Sequence, residues 1–322
     1  MSQLHIVPHR SHGRDDQLRS RGMLSLLLLS LLAMSTMTWP NAAMGDEAIP
    51  PQAFEGWQRL ITAVENVEGR FVREQSAPFN LERVSAGKDE LSFGHSGNGV
   101  ILATNHLGIE VIYATNGEYA FRVERPKGDE KFKVRLFYDG FEGRVYERYL
   151  RYRLESFLWS GFAIEGQRLP DIFRDDDGWA WSLSMNEETR VVTLNVKAAE
   201  SNRDAKFASA IIQCYPDQDW AIESFKCNIP RDGGIIEWRR NGPEWVPHRG
   251  AWQYIEGKVT YDQVDGTWVP KTFRRRDFGV MIFPIDDPEW ERQDLYRMKT
   301  IAKQSGEEAA LTLESYGLTK PK

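Results

Sequence analysis

The sequence contains few of the side chains that enzymes gather into local catalytic motifs. Its 322 residues include only two cysteines and six histidines. Beyond residue 45 the histidines are His95, His106 and His248, which have no metal-ligand spacing and are interpreted as loop or surface residues. No Gly-x-Ser-x-Gly motif is present, and His95-Ser-Gly-Asn-Gly99 leads into a strand pattern, which is typical of a turn. We therefore expect no enzyme, no metal site and no cofactor.

Long apolar runs are also missing, except for one near the N-terminus. Met23–Ala33 is preceded by Arg19 and Arg21 and followed by the small residues of Ala42-Ala-Met-Gly45. This order is typical of a secretory signal peptide, and the run is shorter than the roughly 20 apolar residues of a membrane-spanning helix. We predict a signal peptide over residues 1–45 and one exported domain over 46–322, in the periplasm or outside the cell. An uncleaved N-terminal anchor is the alternative.

Positive charge is in short supply in the predicted mature chain. The whole sequence has 41 Lys and Arg against 47 Asp and Glu. Four arginines and two aspartates lie before residue 46, which leaves 37 basic and 45 acidic side chains and a net charge of −8. Such a balance argues against a nucleic-acid partner.

The two cysteines, Cys214 and Cys227, do not clearly form a pair. A turn at Pro216–Asp219 would place Cys214 opposite about Ala221, so the Cα atoms of the cysteines would lie beyond disulfide distance. Two buried free thiols are favoured, and a disulfide stays open because an exported chain meets an oxidising compartment.

Hydrophobic periodicity predicts one helix followed by many short strands. Apolar residues at helical spacing predict a helix over 52–67, and Arg70–Glu74 begins the strands. Asn116-Gly117 predicts a two-residue type I′ hairpin turn, which would pair Ala114 with Tyr119 and Ile112 with Phe121. One face of that hairpin is uniformly apolar and the other is mixed; the apolar face carries Ile112, Ala114, Tyr119, Phe121 and Val123.

The rest of the pattern is a helical insert inside a β meander. Residues 142–173 are predicted to be helical, residues 179–185 alternate as a strand, and the last third contains two hairpins that each end in Trp-Val-Pro. We also expect a strand in 295–305 and a further one in 310–316. The fold class is therefore mainly β with α: a highly curved antiparallel sheet, or half-open barrel, with an N-terminal helix and a central helical insert.

Two charged runs and the aromatic residues complete the list of candidates. Asp175-Asp-Asp177 and Arg274-Arg-Arg276 are each interpreted as solvated, with a calcium site and an anionic headgroup or partner contact as the respective alternatives. Ten tryptophans remain beyond residue 45, which suits a β core or a lined apolar cavity. Phe157, Trp159 and Phe162 flank Gly161, where a lid could move.

The order of elements resembles a known superfamily. The residues that carry the resemblance are Val67–Glu74, the hairpin over Ile112–Phe121, and Gly266-Thr-Trp-Val-Pro-Lys271, separated by the helical insert. Together they resemble the periplasmic lipoprotein carriers of the Lol type and the outer-membrane lipoprotein-sorting proteins. The resemblance implies an incomplete barrel capped by helices, an apolar cavity for acyl chains, and no catalysis.

These observations give one function hypothesis and one alternative. The first is an exported, non-catalytic protein that holds a lipid or lipoprotein acyl chain in the barrel. Its expected ligand-binding residues are the wall, Ile112, Tyr119 and Phe121, and the lid, Phe157, Trp159 and Phe162. The alternative is an envelope protein-interaction or sensor module of the same fold without lipid cargo.

Overall fold

Helix α1 opens the structure because its apolar residues form one stripe. It runs over Pro51–Val64, with prolines at its start, and buries Trp57, Leu60, Ile61 and Val64. The indole Nε1 of Trp57 donates a hydrogen bond of 2.9 Å to the Trp220 carbonyl. The helix ends three residues before the predicted end, because Glu65 is already extended and Val67 begins a strand.

The computed structural model describes a long run of strands with a helix near its middle. The residues described are 48–76, 87–97, 99–174, 178–202, 204–229, 234–239, 242–247, 251–280, 289–304 and 311–321. The first strands are β1 (Val67–Ser76), β2 (Gly87–His95), β3 (Val100–His106), β4 (Ile109–Thr115), β5 (Tyr119–Pro126) and β6 (Lys133–Asp139). The predicted signal peptide lies outside these residues.

The central insert is one long helix followed by a small hairpin. Helix α2 spans Gly140–Leu158, and the two-residue strands β7 (Ala163–Ile164) and β8 (Gln167–Arg168) lead into helix α3 (Leu169–Ile172). The predicted helix over 142–173 is thus correct for its first half. It is interrupted because Glu165 and Gly166 take positive φ values of 51° and 79° in the turn between β7 and β8.

The remaining strands complete the meander. They are β9 (Trp179–Met185), β10 (Val192–Ala198), β11 (Ser209–Tyr215), β12 (Ala221–Ile229), β13 (Gly234–Arg239), β14 (Gly242–Pro247), β15 (Ala251–Val264), β16 (Thr267–Val280) and β17 (Glu289–Lys303). Short 3-10 turns occur at Pro216–Gln218 and Leu313–Tyr316. The strand expected in 310–316 is therefore wrong over its described residues, 311–316.

In the part of the chain that the structure describes, thirteen strands form one antiparallel sheet, which does not close. Its order is β6-β5-β4-β3-β2-β1-β17-β16-β15-β12-β11-β10-β9, so β6 and β9 are edge strands. The hairpins β13-β14 and β7-β8 form separate two-stranded sheets. This open antiparallel sheet with an N-terminal helix and a central helical insert confirms the predicted fold class.

The centre of the sheet is the pairing of β1 with β17, the first strand with the last. The register runs from Val67 opposite Lys303 to Ser76 opposite Gln293, with a bulge at Arg70 and Phe71. Because β1 also pairs with β2 and β17 with β16, this contact makes the two halves of the chain one sheet.

The hairpin at Asn116-Gly117 forms, but its register differs by two residues from the prediction. Ala114 lies opposite Phe121 and Ile112 opposite Val123. The loop is longer than two residues because the Asn116 side-chain oxygen accepts hydrogen bonds from the Glu118 and Tyr119 amides, at 3.1 Å each. A shift of two leaves every side chain on its predicted face.

Two apolar clusters lie on the two faces of the sheet. We call the face against which α1 and α2 pack the helix face; its large cluster includes Trp57, Phe71, Leu102, Phe157 and Tyr296. The opposite face, here the outer face, carries a smaller cluster: Ile112, Ala114, Tyr119, Phe121, Val123 and Leu313. In β5, Ala120 belongs to the large cluster and its neighbours Tyr119 and Phe121 belong to the smaller one, because successive side chains of a strand point to opposite faces.

The cysteines are free and buried in the core. Cys214 lies opposite Ile222, one residue from the predicted position, and Cys227 lies opposite Ala210. Burial raises the pKa of both thiols, which holds them in the neutral form at physiological pH.

A buried ion pair spans the β1-β17 contact and gives the first prediction. Arg73 donates to Asp294 at 2.9 and 3.1 Å, and Asp294 is 2% exposed. We expect Asp294→Ala to lower the free energy of unfolding by about 3–5 kcal/mol, because it leaves the Arg73 charge buried without its carboxylate. Urea unfolding measures the change.

The paired change Arg73→Met with Asp294→Leu is the matched control, since it removes both charges and keeps apolar volume. We expect it to cost much less than Asp294→Ala alone. Equal costs would show that the two side chains do not act as a pair.

Candidate functional site

The predicted wall residues lie together, but on the outer face. Ile112, Tyr119 and Phe121 are each at most 6% exposed and belong to the smaller cluster. Ala120, between two of them, belongs to the large cluster on the helix face. The apolar face of this hairpin is therefore not the face that α2 covers.

The outer-face cluster is covered by the chain's own C-terminal segment, residues 311–321. Leu313 is fully buried in the cluster, and its amide donates to the Tyr119 hydroxyl at 3.3 Å. The Tyr316 ring packs edge-on against Phe121 at 5.9 Å, and Lys320 lies 4.4 Å from the centre of the Tyr119 ring. The space that the sequence assigned to a ligand is thus filled by this segment.

The predicted lid residues lie on the other side of the sheet. Phe157 is fully buried, 5.4 Å from the ring of Tyr296, and Phe162 is 1% exposed. Trp159 is half-buried, with the Arg168 guanidinium 4.5 Å above its ring. The structure thus separates wall from lid, because the wall side chains of β4 and β5 point to the outer face, whereas α2 and the turn after it pack on the helix face. Their role as ligand contacts stays a prediction.

The turn at Gly161 is held against the sheet. Its carbonyl accepts a hydrogen bond of 2.9 Å from the Ile222 amide. A Cβ at this position would lie 3.3 Å from the Tyr261 ring, whose hydroxyl donates to the Ile222 carbonyl at 2.6 Å. Gly161 therefore serves close packing here.

A groove opens on the helix face between strands β2–β5 and helix α2. Its cavity volume is about 240 Å³. The floor is apolar, formed by side chains from three neighbouring strands that all point to one face: Leu91, Leu102, Ile109, Val111 and Tyr113. Leu91, Leu102 and Val111 are buried and the other two are half-buried. The groove therefore offers one apolar surface next to solvent.

Charged side chains surround that floor. They are Asp89 of β2, Arg122 and Glu124 of β5, and Arg153 of α2. The Arg122 guanidinium lies 5.3 Å from the centre of the Tyr113 ring and donates to Glu124, which also accepts from Arg135 at 2.7 Å. An apolar floor beside such charges suits a ligand with an apolar part and a polar end.

Tyrosines join α2 to this part of the sheet. The rings of Tyr138 and Tyr146 lie 5.3 Å apart, and those of Tyr146 and Tyr149 lie 6.2 Å apart. Burial raises the pKa of Tyr146, with nearby tyrosines contributing and Arg122 opposing the shift. The raised pKa keeps the Tyr146 phenol neutral at physiological pH.

The side chains of Arg274-Arg-Arg276 alternate between the two faces of the sheet. The interpretation of this run as solvated is therefore wrong for Arg275. Arg275 is half-buried on the helix face, where it donates to Glu165 at 2.6 Å, Asp277 at 2.8 Å and Tyr152 at 3.1 Å. This network ties α2 and the β7-β8 turn to β16. Arg274 is exposed, and Arg276 contacts Glu256 at 3.4 Å.

His95 is a buried residue, which corrects its assignment to a loop or the surface. Its Nδ1 lies 3.1 Å from the Val64 carbonyl and its Nε2 lies 3.2 Å from Glu155. It therefore links the end of α1 to α2. The turn predicted after it is confirmed by the hydrogen bonds between Ser96 and Gly99.

No three or more metal-ligating side chains come together within the described ranges, and Asp175–Asp177 lies outside them. The same ranges contain no helix that is long and apolar enough to cross a bilayer.

The groove was missed at the sequence level because its face is mixed. Val111, Tyr113, Arg122 and Glu124 alternate with the uniformly apolar residues of the same hairpin. The available signal was that charged residues share a face with large apolar ones, which is unusual for a simple core face.

Among known proteins, the chain is similar only in fold, to solved structures. No protein-family model and no curated protein matches the chain. It is similar to a crystal structure from Vibrio parahaemolyticus described as an outer membrane lipoprotein-sorting protein domain, at 11% identity and a TM-score of 0.34, over 81% of this chain and 98% of that one. That description names the family that the sequence resembles. With so low a score, the functional argument rests on the groove.

The C-terminal segment gives a pH-dependent prediction. Burial raises the pKa of Tyr316 to about 12, and the Glu110 carboxylate adds to the shift. A phenol whose pKa is higher in the folded than in the unfolded state stabilises the folded state fully below about pH 10. This contribution is lost as the pH rises toward 12. We expect the Tm of the Tyr316→Phe variant to fall less than that of the wild type between about pH 8 and pH 11.

Other buried tyrosines titrate in both proteins, so the difference between the two isolates Tyr316. An identical fall in Tm for the variant and the wild type would contradict the assignment.

Proposed function

We propose that this chain is an exported, non-catalytic binding protein that holds one apolar chain, of a lipid or lipoprotein, in the groove on the helix face. The observation that supports it is the apolar floor between the sheet and α2, where the half-buried Ile109 and Tyr113 lie beside the buried Leu91, Leu102 and Val111. A ligand that covers apolar surface of this kind is bound more tightly, because each Å² removed from water contributes about 25 cal/mol of favourable free energy.

The size and position of the groove favour a single chain. Its volume of about 240 Å³ is below the roughly 300–1,000 Å³ of pockets for drug-sized ligands. Beside the groove, the helix face is packed by Phe157 of α2 against the rings of Phe71 and Tyr296. We therefore assign the apolar cavity expected from the sequence to this local groove against α2.

A protein-interaction module is the second candidate, favoured by the edge strand β9. No residue of β9 is charged, whereas the other edge, β6, carries Lys133, Arg135 and Asp139. Uncharged edges accept a further strand more readily than charged ones. The Trp-Val-Pro ends that first suggested this alternative lie partly in β14, whose side chains are outside the described set.

A charge placed in the groove tests the proposal. Ile109 is half-buried in the floor, and we expect Ile109→Asp to lower the affinity for a fluorescent dodecanoic acid probe at least about tenfold, because an unpaired carboxylate is costly against an apolar chain. Ile101, half-buried on the outer face, supplies the matched control Ile101→Asp. We expect this control to bind within about twofold of the wild type.

Native mass spectrometry of the protein purified from its own envelope, without detergent, complements the titration. We expect adducts of acyl-chain mass on the wild type and few on Ile109→Asp, with a polypeptide that begins near Asp46. A bare mass, together with equal probe affinity for both variants, would favour the protein-interaction module.

A further inference from the structure

One end of the groove holds a guanidinium whose hydrogen-bonding capacity is only partly used. Arg122 donates through one terminal nitrogen to Glu124, while its Nε is buried and has no hydrogen-bond partner in the described part of the chain. Buried donors in folded proteins are nearly always satisfied, so an exception needs an explanation. The planar guanidinium matches the oxygens of a carboxylate or a phosphate. A ligand oxygen in the groove would supply the acceptor that Nε lacks.

A second arginine lines the groove from the helix side. Arg153 of α2 is half-buried, and its guanidinium lies 5.7 Å from the centre of the Tyr149 ring. Within the ranges described, no carboxylate lies within 4 Å of it. Held over an aromatic ring and without a counter-ion, it can turn its donors to a ligand.

The two carboxylates that line the groove lie apart: Glu124 is two residues from Arg122 on β5, whereas Asp89 lies on β2, three strands away. Glu124 lies between Arg122 and Arg135, and Asp89 faces Arg73 directly across the β1-β2 pair. Beside Arg122, the single carboxylate of Glu124 is therefore shared by two guanidinium groups, those of Arg122 and Arg135.

We infer that the groove selects an amphiphile with a single anionic head, a carboxylate or a phosphate, which Arg122 and Arg153 bind. Its apolar chain then lies along Leu91, Leu102 and Val111. The inference rests on the proposed function and deepens it, since it assigns the polar end of the ligand. An ion pair of this kind, partly shielded from water, adds charge-assisted hydrogen bonds that a neutral head does not make.

Three amphiphiles with the same chain test the inference: dodecanoate, dodecyl phosphate and dodecanol. Isothermal titration with the protein as the cell processes it should give at least about tenfold tighter binding of one or both anions than of dodecanol. The better anion identifies the head. Arg122→Gln and Arg153→Gln should each remove most of that preference, measured as the ratio of anion affinity to dodecanol affinity in the same variant.

The matched control is Arg148→Gln, which removes an exposed arginine of α2 outside the groove. This variant should keep the preference for the anions. If the preference came only from the net charge of the protein, Arg148→Gln would reduce it as much as the groove variants do. Arg153→Gln carries the test alone if thermal unfolding shows that Arg122→Gln does not fold, because Arg153 makes no ion pair with the described residues.

The outcomes separate the two proposals. Equal affinity of the wild type for all three amphiphiles would overturn the anionic head and leave the apolar groove in place. An anion preference that survives both glutamine variants would overturn the assignment to these arginines. No binding of any of the three would overturn the proposed function and this inference with it.

Discussion

The pairing of β1 with β17 is the constraint on which the rest of the structure depends. It joins strands more than 200 residues apart in the chain and unites the strands before α2 with those after it. The helix face becomes continuous only through this contact, so α1 and α2 can bury one shared core against it. Closing so long a loop costs chain entropy, and the paired backbones and the packed aromatic rings of Phe71 and Tyr296 offset it.

The helix face is divided between dry packing and paired charges. Phe157 of α2 packs against the rings of Phe71 and Tyr296. Arg275, through its ion pairs with Glu165 and Asp277, fixes the β7-β8 turn to β16. Because these charges pair with one another, they fix the position of α2 on the sheet but add little to the free energy of unfolding. The groove lies where this packing stops, which explains why it has both an apolar floor and charged neighbours.

Local patterns predicted the elements well and the faces less well. The stripe of α1, the Asn-Gly turn and the alternation in β9 each depend on neighbouring residues, and the structure contains all three. The hairpin register was wrong because the Asn116 side chain closes a longer loop. Alternation shows that a strand has two faces, but it does not show what covers each. Here the C-terminal segment, distant in sequence, covers the face that looked like a ligand wall, and α2 covers the mixed one.

The central claim is that the ligand lies on the helix face against α2. A dodecanoic acid that carries a diazirine at its chain end, bound and then photolysed, marks the residues it touches, and peptide mass spectrometry locates them. The account predicts labels on Leu102, Val111 and Tyr113. Labels on Ile112, Tyr119 or Phe121, or on the C-terminal segment that covers them, would contradict it and place the ligand on the outer face.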